Sequence, residues 1–409
     1  MSGERKMMYS MGQSLWFWRS DASDPVHPEI TVFLDSEIDG DQLLSAWKKT
    51  MKVYPLLDWI PELVGGEVVF YEADTEPVVV HTEGAVRPCS PLAAGRAFAV
   101  AWSGNHFTLT SYHSILDGAG VISVLSTLLY HYCSLHYHQE FDPAGFELRE
   151  GRKTEENFCS AATMDLGKFE MQPMVLPLDG KTIFSDPGMA PSAPGQILAS
   201  SVTVDSEKFM QLCRENGATP AIMLSMLFGK AICSLFPEDR RELAFEITTD
   251  GRKGLGKTGF LGALSSSASI WCGREDLEER PLEETAKKLR SLMNAQRTED
   301  YAKTQIAIVR NNFILKMHLS GTVSYEGSLH FGSIEEHIAG ISLCNHSFNT
   351  VHMVELKGNF LIFFQLGGAS DRYREAFVKE LEKLGVHAGE QKAASAIPAE
   401  RSEREGEQG

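Results

Sequence analysis

The periodic pattern of the chain breaks once, between residues 171 and 196, and this break constrains the fold more than any other feature. The stretch MQPMVLPLDGKTIFSDPGMAPSAPGQ holds five prolines and little apolar recurrence. Proline fixes its own backbone angle and restrains the residue before it, so neither a helix nor a central strand runs through such a segment. It reads as an extended interdomain crossover lying on the surface. At 409 residues the chain is also long for a single core. The expected division is a first domain over 1–170, the crossover over 171–196, a second domain over 197–388 and a tail over 389–409. The tail, GEQKAASAIPAERSEREGEQG, has almost nothing apolar to bury and reads as disordered.

Strands and helices alternate on both sides of the break. ITVFLD (30–35) reads as a strand, and DGDQLLSAWKKTMKVY (39–54) as an amphipathic helix with Leu43, Trp47 and Met51 on one stripe. GEVVFYEA and PVVVHT read as short strands, and FAVAWSGNHFTLTSYHS as a hairpin turning at Ser103-Gly104-Asn105. A helix runs from Ala119 to about His138. Beyond the crossover come the strand ILASSVTV, helices near 205–216 and 219–236, and strands LAFEITTD and SSSASIWC. A charged helix over about 281–300, strands TVSYEG, ISLCNHSF and NFLIFFQL, and a closing helix at 371–385 ended by Gly385 complete the pattern.

Charge and cysteine usage exclude several functions. The chain carries 55 acidic against 38 basic side chains, a formal charge of −17, with no cluster of Lys and Arg of the kind that neutralises phosphates. No nucleic-acid partner is expected. No segment reaches the roughly 18 uninterrupted apolar residues of a membrane span, and the N-terminal residues lack the apolar core and cleavage site of a secretory signal. Seven scattered cysteines without a CxxC pair read as reduced thiols filling cores. A cytoplasmic protein without a metal site is the expectation. His131, His136 and His138 lie on or just past the long helix, but their spacing is not the i, i+4 of a zinc pair. They read as a solvated helix end.

The segment SYHSILDGAG (111–120) carries the chemistry. Strand alternation places Phe107, Leu109, Ser111 and His113 on one face. The first two pack inward, while Ser111 and His113 come at the strand end, and Asp117 and Gly118 open the following helix. A histidine at a strand end can have its ring fixed by the backbone and still face a cavity, as a general base requires. On spacing alone the plainer reading is favoured, a core histidine followed by an ordinary aspartate helix cap.

YHSILDG resembles the HHxxxDG motif of nonribosomal condensation domains and the HxxxDG motif of alcohol acyltransferases. Both belong to a superfamily that includes chloramphenicol acetyltransferase and the plant CoA-dependent acyltransferases. The resemblance implies that His113 is the base and that Asp117 is structural, ion-paired to an arginine of the second domain. ITTDGRKGLG resembles the motif supplying that partner, which gives Arg252. TVSYEG (322–327) resembles the late strand carrying Ser-Asn-x-Gly in many members. Two departures stand out. Tyr112 replaces the first histidine of the paired motif, which leans away from peptide-bond condensation, and Tyr325 stands where many members have asparagine.

The fold implied is α/β, two chloramphenicol-acetyltransferase-like sheet-and-helix domains arranged in a V with an active-site tunnel between them. The function implied is transfer of an acyl group from a CoA thioester to an alcohol or amine, without a covalent acyl-enzyme. Tyr112, Ser265 and Ser324 are candidate substrate contacts, and Lys253 and Lys257 candidate contacts to the CoA phosphates. The stretch GRKGLGKTGFLG lacks the GxxxxGK[ST] spacing of a phosphate loop. Acyl-CoA, or an acyl-phosphopantetheine on a carrier protein, is the expected co-substrate, with no permanently bound cofactor, and a monomer is the default. Two alternatives stay open: a carrier-protein-dependent condensation enzyme, and a non-catalytic relative that binds a ligand or partner.

Overall fold

A computed structural model describes residues 5–8, 27–64, 67–113, 115–151, 165–174, 182–189, 199–310, 319–345 and 349–390. In the first half lie β1 (Arg5–Met8), β2 (Pro28–Leu34), α1 (Gly40–Val53), β3 (Trp59–Val64), β4 (Glu67–Glu72), β5 (Val80–His81), β6 (Phe98–Ser103), β7 (His106–Ser111) and α2 (Gly118–His136). The second half runs β8 (Ala199–Asp205), α3 (Ser206–Glu215), α4 (Pro220–Leu235), β9 (Leu243–Asp250), β10 (Ser265–Cys272) and α5 (Arg274–Glu278). It continues with α6 (Leu282–Ala295), α7 (Glu299–Arg310), β11 (Gly321–Ser328), β12 (Ile338–Asn345), β13 (Thr350–Leu356), β14 (Asn359–Gln365), α8 (Ser370–Glu382) and β15 (Ala388–Glu390).

Helix α1 forms where its sequence asks for it. Asp39 caps it by accepting from the amides of Asp41 and Gln42, and Leu43, Trp47 and Met51 turn inward. It packs beside α2 on a five-stranded sheet of order β12-β2-β7-β6-β5. The β6–β7 hairpin turns at Gly104, whose φ of +50° lies in the left-handed region glycine enters without strain. By length and composition α2 is apolar enough to cross a bilayer. Its Val121, Val124, Leu125, Leu128 and Leu129 are instead fully used in the first core.

The second half is built on a seven-stranded mixed sheet of order β10-β9-β11-β13-β14-β8-β15. One face, with Val351, Met353, Phe360, Ile362 and Phe364, belongs to the second core together with residues of α3, α4 and α8. The other face joins the first core through Val354, Leu356, Leu361 and Phe363. A sheet buried on both faces needs apolar side chains in both directions, which explains the nearly continuous run NFLIFFQ of β14.

Strand β12 interlocks the halves. It follows β11 in sequence yet leaves the large sheet and pairs with β2, Ile341 opposite Val32 and Leu343 opposite Ile30.

Several sequence expectations shift. The crossover is not wholly superficial: Ile183, Phe184 and Met189 are buried, and Ile183 bridges to Glu242. Apolar residues between the prolines fill gaps in the second core; residues 175–181 and 190–198 lie outside the described residues. The charged helix breaks at Gln296, whose side chain bonds both backbone groups of Ser269, and restarts as α7. Strand β13, unassigned from the sequence, sits at the centre of the large sheet. The tail was expected to be disordered from 389, but Ala388–Glu390 pair with β8; residues 391–409 lie outside the described residues.

Candidate active site

The site is assembled where the loop after β7 meets the second half. Its fixed point is Asp117. As the cap of α2, Asp117 accepts from the amide of Gly120 at 3.1 Å, a contact worth about 1 kcal/mol at a helix start. It also accepts from Arg252 Nη2 at 2.6 Å and from the Leu264 amide at 2.9 Å, both in the second half. Only 4% of Asp117 and 5% of Arg252 is exposed, so the pair works without bulk water.

Arg252 is held on all sides. Its Nε donates to the carbonyl of Phe260, its Nη2 to those of Leu261 and Gly262, and its Nη1 to Asp250 Oδ1 at 3.0 Å. Burial works against its charge, but Asp117 and then Asp250 outweigh it and hold the guanidinium above its usual value. A fork of planar donors fills this ring of oxygens; an ammonium has neither the reach nor the count.

Close approach of the halves explains the two glycines that open α2. A β-carbon at Gly120 would fall 2.4 Å from the backbone oxygen of Leu261. One at Gly118 would fall 2.2 Å from Glu326 Oε2. Ala263 also donates its amide to the Ile115 carbonyl, a third tie across the junction.

Into this junction the structure places His113, partly open, at the turn after β7. Facing it, the large sheet presents a row of polar side chains. The register sets Ser267 beside Thr248 and Ser324 beside His352. Thr248 and Ser324 share a hydrogen bond of 2.7 Å, and the Ser324 hydroxyl donates to Glu326 Oε1. His352 Nδ1 stands 4.0 Å from the same carboxylate oxygen. Burial, and then the charge of His113, push His352 down to about 4, so its ring is neutral at ordinary pH. Burial pushes Glu326 up.

The sequence-expected residues are not all brought together. His113, Asp117 and Arg252 converge, and Ser324 lies in the facing sheet. Ser265 is exposed at the start of β10, opposite Asp250; Ser267 occupies the row with Thr248. Tyr112 belongs to the first core and is only 4% exposed; its hydroxyl interacts with Cys89 and Arg87. Lys253 and Lys257 are exposed on the loop that holds Arg252. Of the three histidines expected at a solvated helix end, His138 is exposed just past α2, but His136 bonds Ser36 and Gln42 and stacks on Tyr132, and His131 is half-buried with its Nε2 out of water. Among the described residues no three His, Cys, Asp or Glu side chains come together to hold a metal.

Two site residues escaped the sequence reading, Glu326 and His352. Glu326 is the residue after Tyr325 in the very strand singled out. Its signal was an acidic residue two positions beyond Ser324, on the strand face that alternation turns toward the junction. The signal at His352 was the period-two run TVHMVEL, whose Val351 and Met353 point one way and His352 the other.

No protein-family model matches the chain, and no curated protein matches it. Solved structures do. Polyketide synthase associated protein 5 from Mycobacterium tuberculosis is 13% identical, covering 91% of this chain and 97% of its own, with a TM-score of 0.63. F. sporotrichioides TRI101, solved with coenzyme A and T-2, is 14% identical over 94% of this chain and 99% of its own, TM-score 0.62. The first condensation domain of the CDA synthetase is 13% identical over 94% and 97%, TM-score 0.60. At such identities the likeness is one of fold, over nearly the whole length of each chain.

Proposed function

The chain has the two-domain fold of the CoA-dependent acyltransferases and condensation domains, and from that premise we propose that it is an acyltransferase with His113 as general base. It moves an acyl group from a thioester to an alcohol or amine acceptor. The observation that carries the reading is the buried Asp117–Arg252 pair, which ties the turn bearing His113 to the second half. Both members of that pair are engaged within the protein: the Nε, Nη1 and Nη2 of the guanidinium each donate to protein oxygens, and Asp117 accepts from the cap amide, the arginine and the Leu264 amide. Their task is to hold the turn.

His113 takes the proton of the acceptor as the acceptor attacks the thioester carbonyl. It returns that proton to the departing thiolate, so no net proton is consumed. General-base assistance of this kind contributes ~10²–10⁴-fold, and holding both substrates in one junction adds an entropic advantage. No acyl-enzyme is required. The exposed Lys253 and Lys257 supply positive charge for the phosphates of a CoA donor on an otherwise acidic protein.

A donor on the phosphopantetheine arm of a carrier protein is the second reading. It is favoured by the likeness to condensation domains, which extends over the same length as that to the CoA-bound acetyltransferase. Thiol release from acyl-CoA with pooled alcohols and amines separates the two. Acceptor-dependent release supports the CoA donor, and release seen only with a loaded carrier protein supports the other. Silence with both donors contradicts acyl transfer.

A further inference from the structure

We propose that Glu326 is a positioning residue for His113, a carboxylate supplied by the second half of the chain that stabilises the positive ring formed when His113 takes up a proton. The inference rests on His113 acting as the base. It goes beyond that reading by assigning the base an electrostatic partner across the junction.

The backbone aims this carboxylate. In the pairing of β11 with β13, Tyr325 stands opposite Met353 and Gly327 opposite Val354, which leaves Glu326 as the extra residue of a bulge. Bulges re-aim a side chain and recur beside active sites. Gly327 follows with a φ of +82°, a conformation open to glycine. The redirected carboxylate lies against the Cα of Gly118, at the start of α2 and within the segment that begins at His113. With 22% of its side chain exposed, it opens on the junction instead of being sealed in a core.

Among the described residues, the surrounding charges leave His113 as the cation for Glu326 to meet. Asp117 is already matched by Arg252, and Arg252 is enclosed by Asp250, Asp117 and three carbonyls. His352 is the group facing it from β13, and that ring is neutral above about 4. Among the described residues no lysine or arginine comes within ion-pair distance of Glu326. A secluded carboxylate without a cation is costly. Burial pushes Glu326 up and the Ser324 hydroxyl draws it down; Asp117 pushes it up again and His113 draws it down. Protonated His113 supplies the missing charge during the reaction itself. The carboxylate takes no proton in the cycle: the proton passes from acceptor to His113 to thiolate. The logic is that of the aspartate in a serine–histidine–aspartate triad, which stabilises the imidazolium without becoming protonated.

The test is an NMR titration of the histidine rings in wild type and Glu326→Gln, with His113→Ala to assign the resonance. The expected result is a lower His113 midpoint in Glu326→Gln, because an opposite charge nearby favours the charged ring and the amide removes it. A midpoint unchanged between the two proteins overturns the proposal. If Glu326→Gln loses its near-ultraviolet circular dichroism, Glu326→Asp withdraws the charge by one methylene. A smaller shift in the same direction then supports the proposal, and no shift overturns it. The titration needs no substrate. A protein that shows the shift but releases no thiol keeps this inference and loses the transferase reading; one that turns over without the shift does the reverse.

Discussion

Arg252 Nη2 lies 2.6 Å from Asp117 Oδ1, joining residues 135 positions apart and closing the two halves over His113. The pair is buried, and its stability value lies less in mutual attraction than in the cost of leaving either charge alone. Arg252→Lys keeps the charge but loses the fork that reaches Asp117, Asp250 and three carbonyls. It should destabilise the protein by about 3 kcal/mol, read as a lower denaturant midpoint at constant slope. An unchanged midpoint would show that the pair does not hold the halves together.

The two glycines at the start of α2 should respond differently to a methyl group. At Gly120 the obstacle is the Leu261 backbone oxygen, which cannot move cheaply, so Gly120→Ala should cost about 1–3 kcal/mol. At Gly118 the obstacle is the end of the Glu326 side chain, which can rotate. Gly118→Ala should therefore leave the melting temperature nearly unchanged and lower kcat by displacing Glu326. Equal losses of stability in both variants would contradict this description of the junction.

Acid should destabilise the fold through its buried histidines. His131 is pushed from 6.5 down to about 4 by burial, with Lys49 adding to it, and His352 reaches about 4 by burial and the charge of His113. Between these values the unfolded chain binds more protons than the folded one, so stability is full above pH 6.5 and falls as pH drops toward 4. Glu326, pushed up from 4.5, acts with the opposite sign just above that value. His131 lies away from it and isolates the effect. His131→Gln should flatten the loss between pH 6.5 and 4 in denaturant titrations, and parallel curves for the two proteins would refute the assignment.

If CoA is the donor, reversing the charges of Lys253 and Lys257 should raise the KM for acyl-CoA about 3–10-fold, as loss of exposed ion pairs does, and leave kcat unchanged. An unaltered KM would place the CoA phosphates elsewhere.

Much of this architecture was legible because it rests on local periodicity. The stripe of α1, the hairpin at Gly104, the apolar α4 and the motif from His113 to Gly118 each declare themselves within about 20 residues. The partnership of Asp117 with Arg252 was readable only through resemblance, since no local pattern joins residues so far apart. What escaped depends on register and on long-range geometry. β12 looks like any strand of the second half, and nothing in ISLCNHSF announces that it pairs with β2. β13 alternates, but its His and Glu residues dilute the apolar count of a central strand. Alternation sets Glu326 on the same face as Ser324 in TVSYEG, but its nearness to Gly118 across the junction depends on the packing of the two halves, which no local pattern shows. Nothing in SSSASIWC tells that Ser267, and not the exposed Ser265, stands beside Thr248, because that depends on the register of β10 against β9.

The central claim is that His113 is the base of an acyl transfer, and release of free thiol from acyl-CoA in the presence of pooled alcohols and amines tests it most directly, comparing wild type with His113→Ala. The account predicts acceptor-dependent release that falls by about 10²–10⁴-fold in the variant, while its circular dichroism and melting temperature match wild type. Undiminished acceptor-dependent release by a folded His113→Ala protein would contradict it.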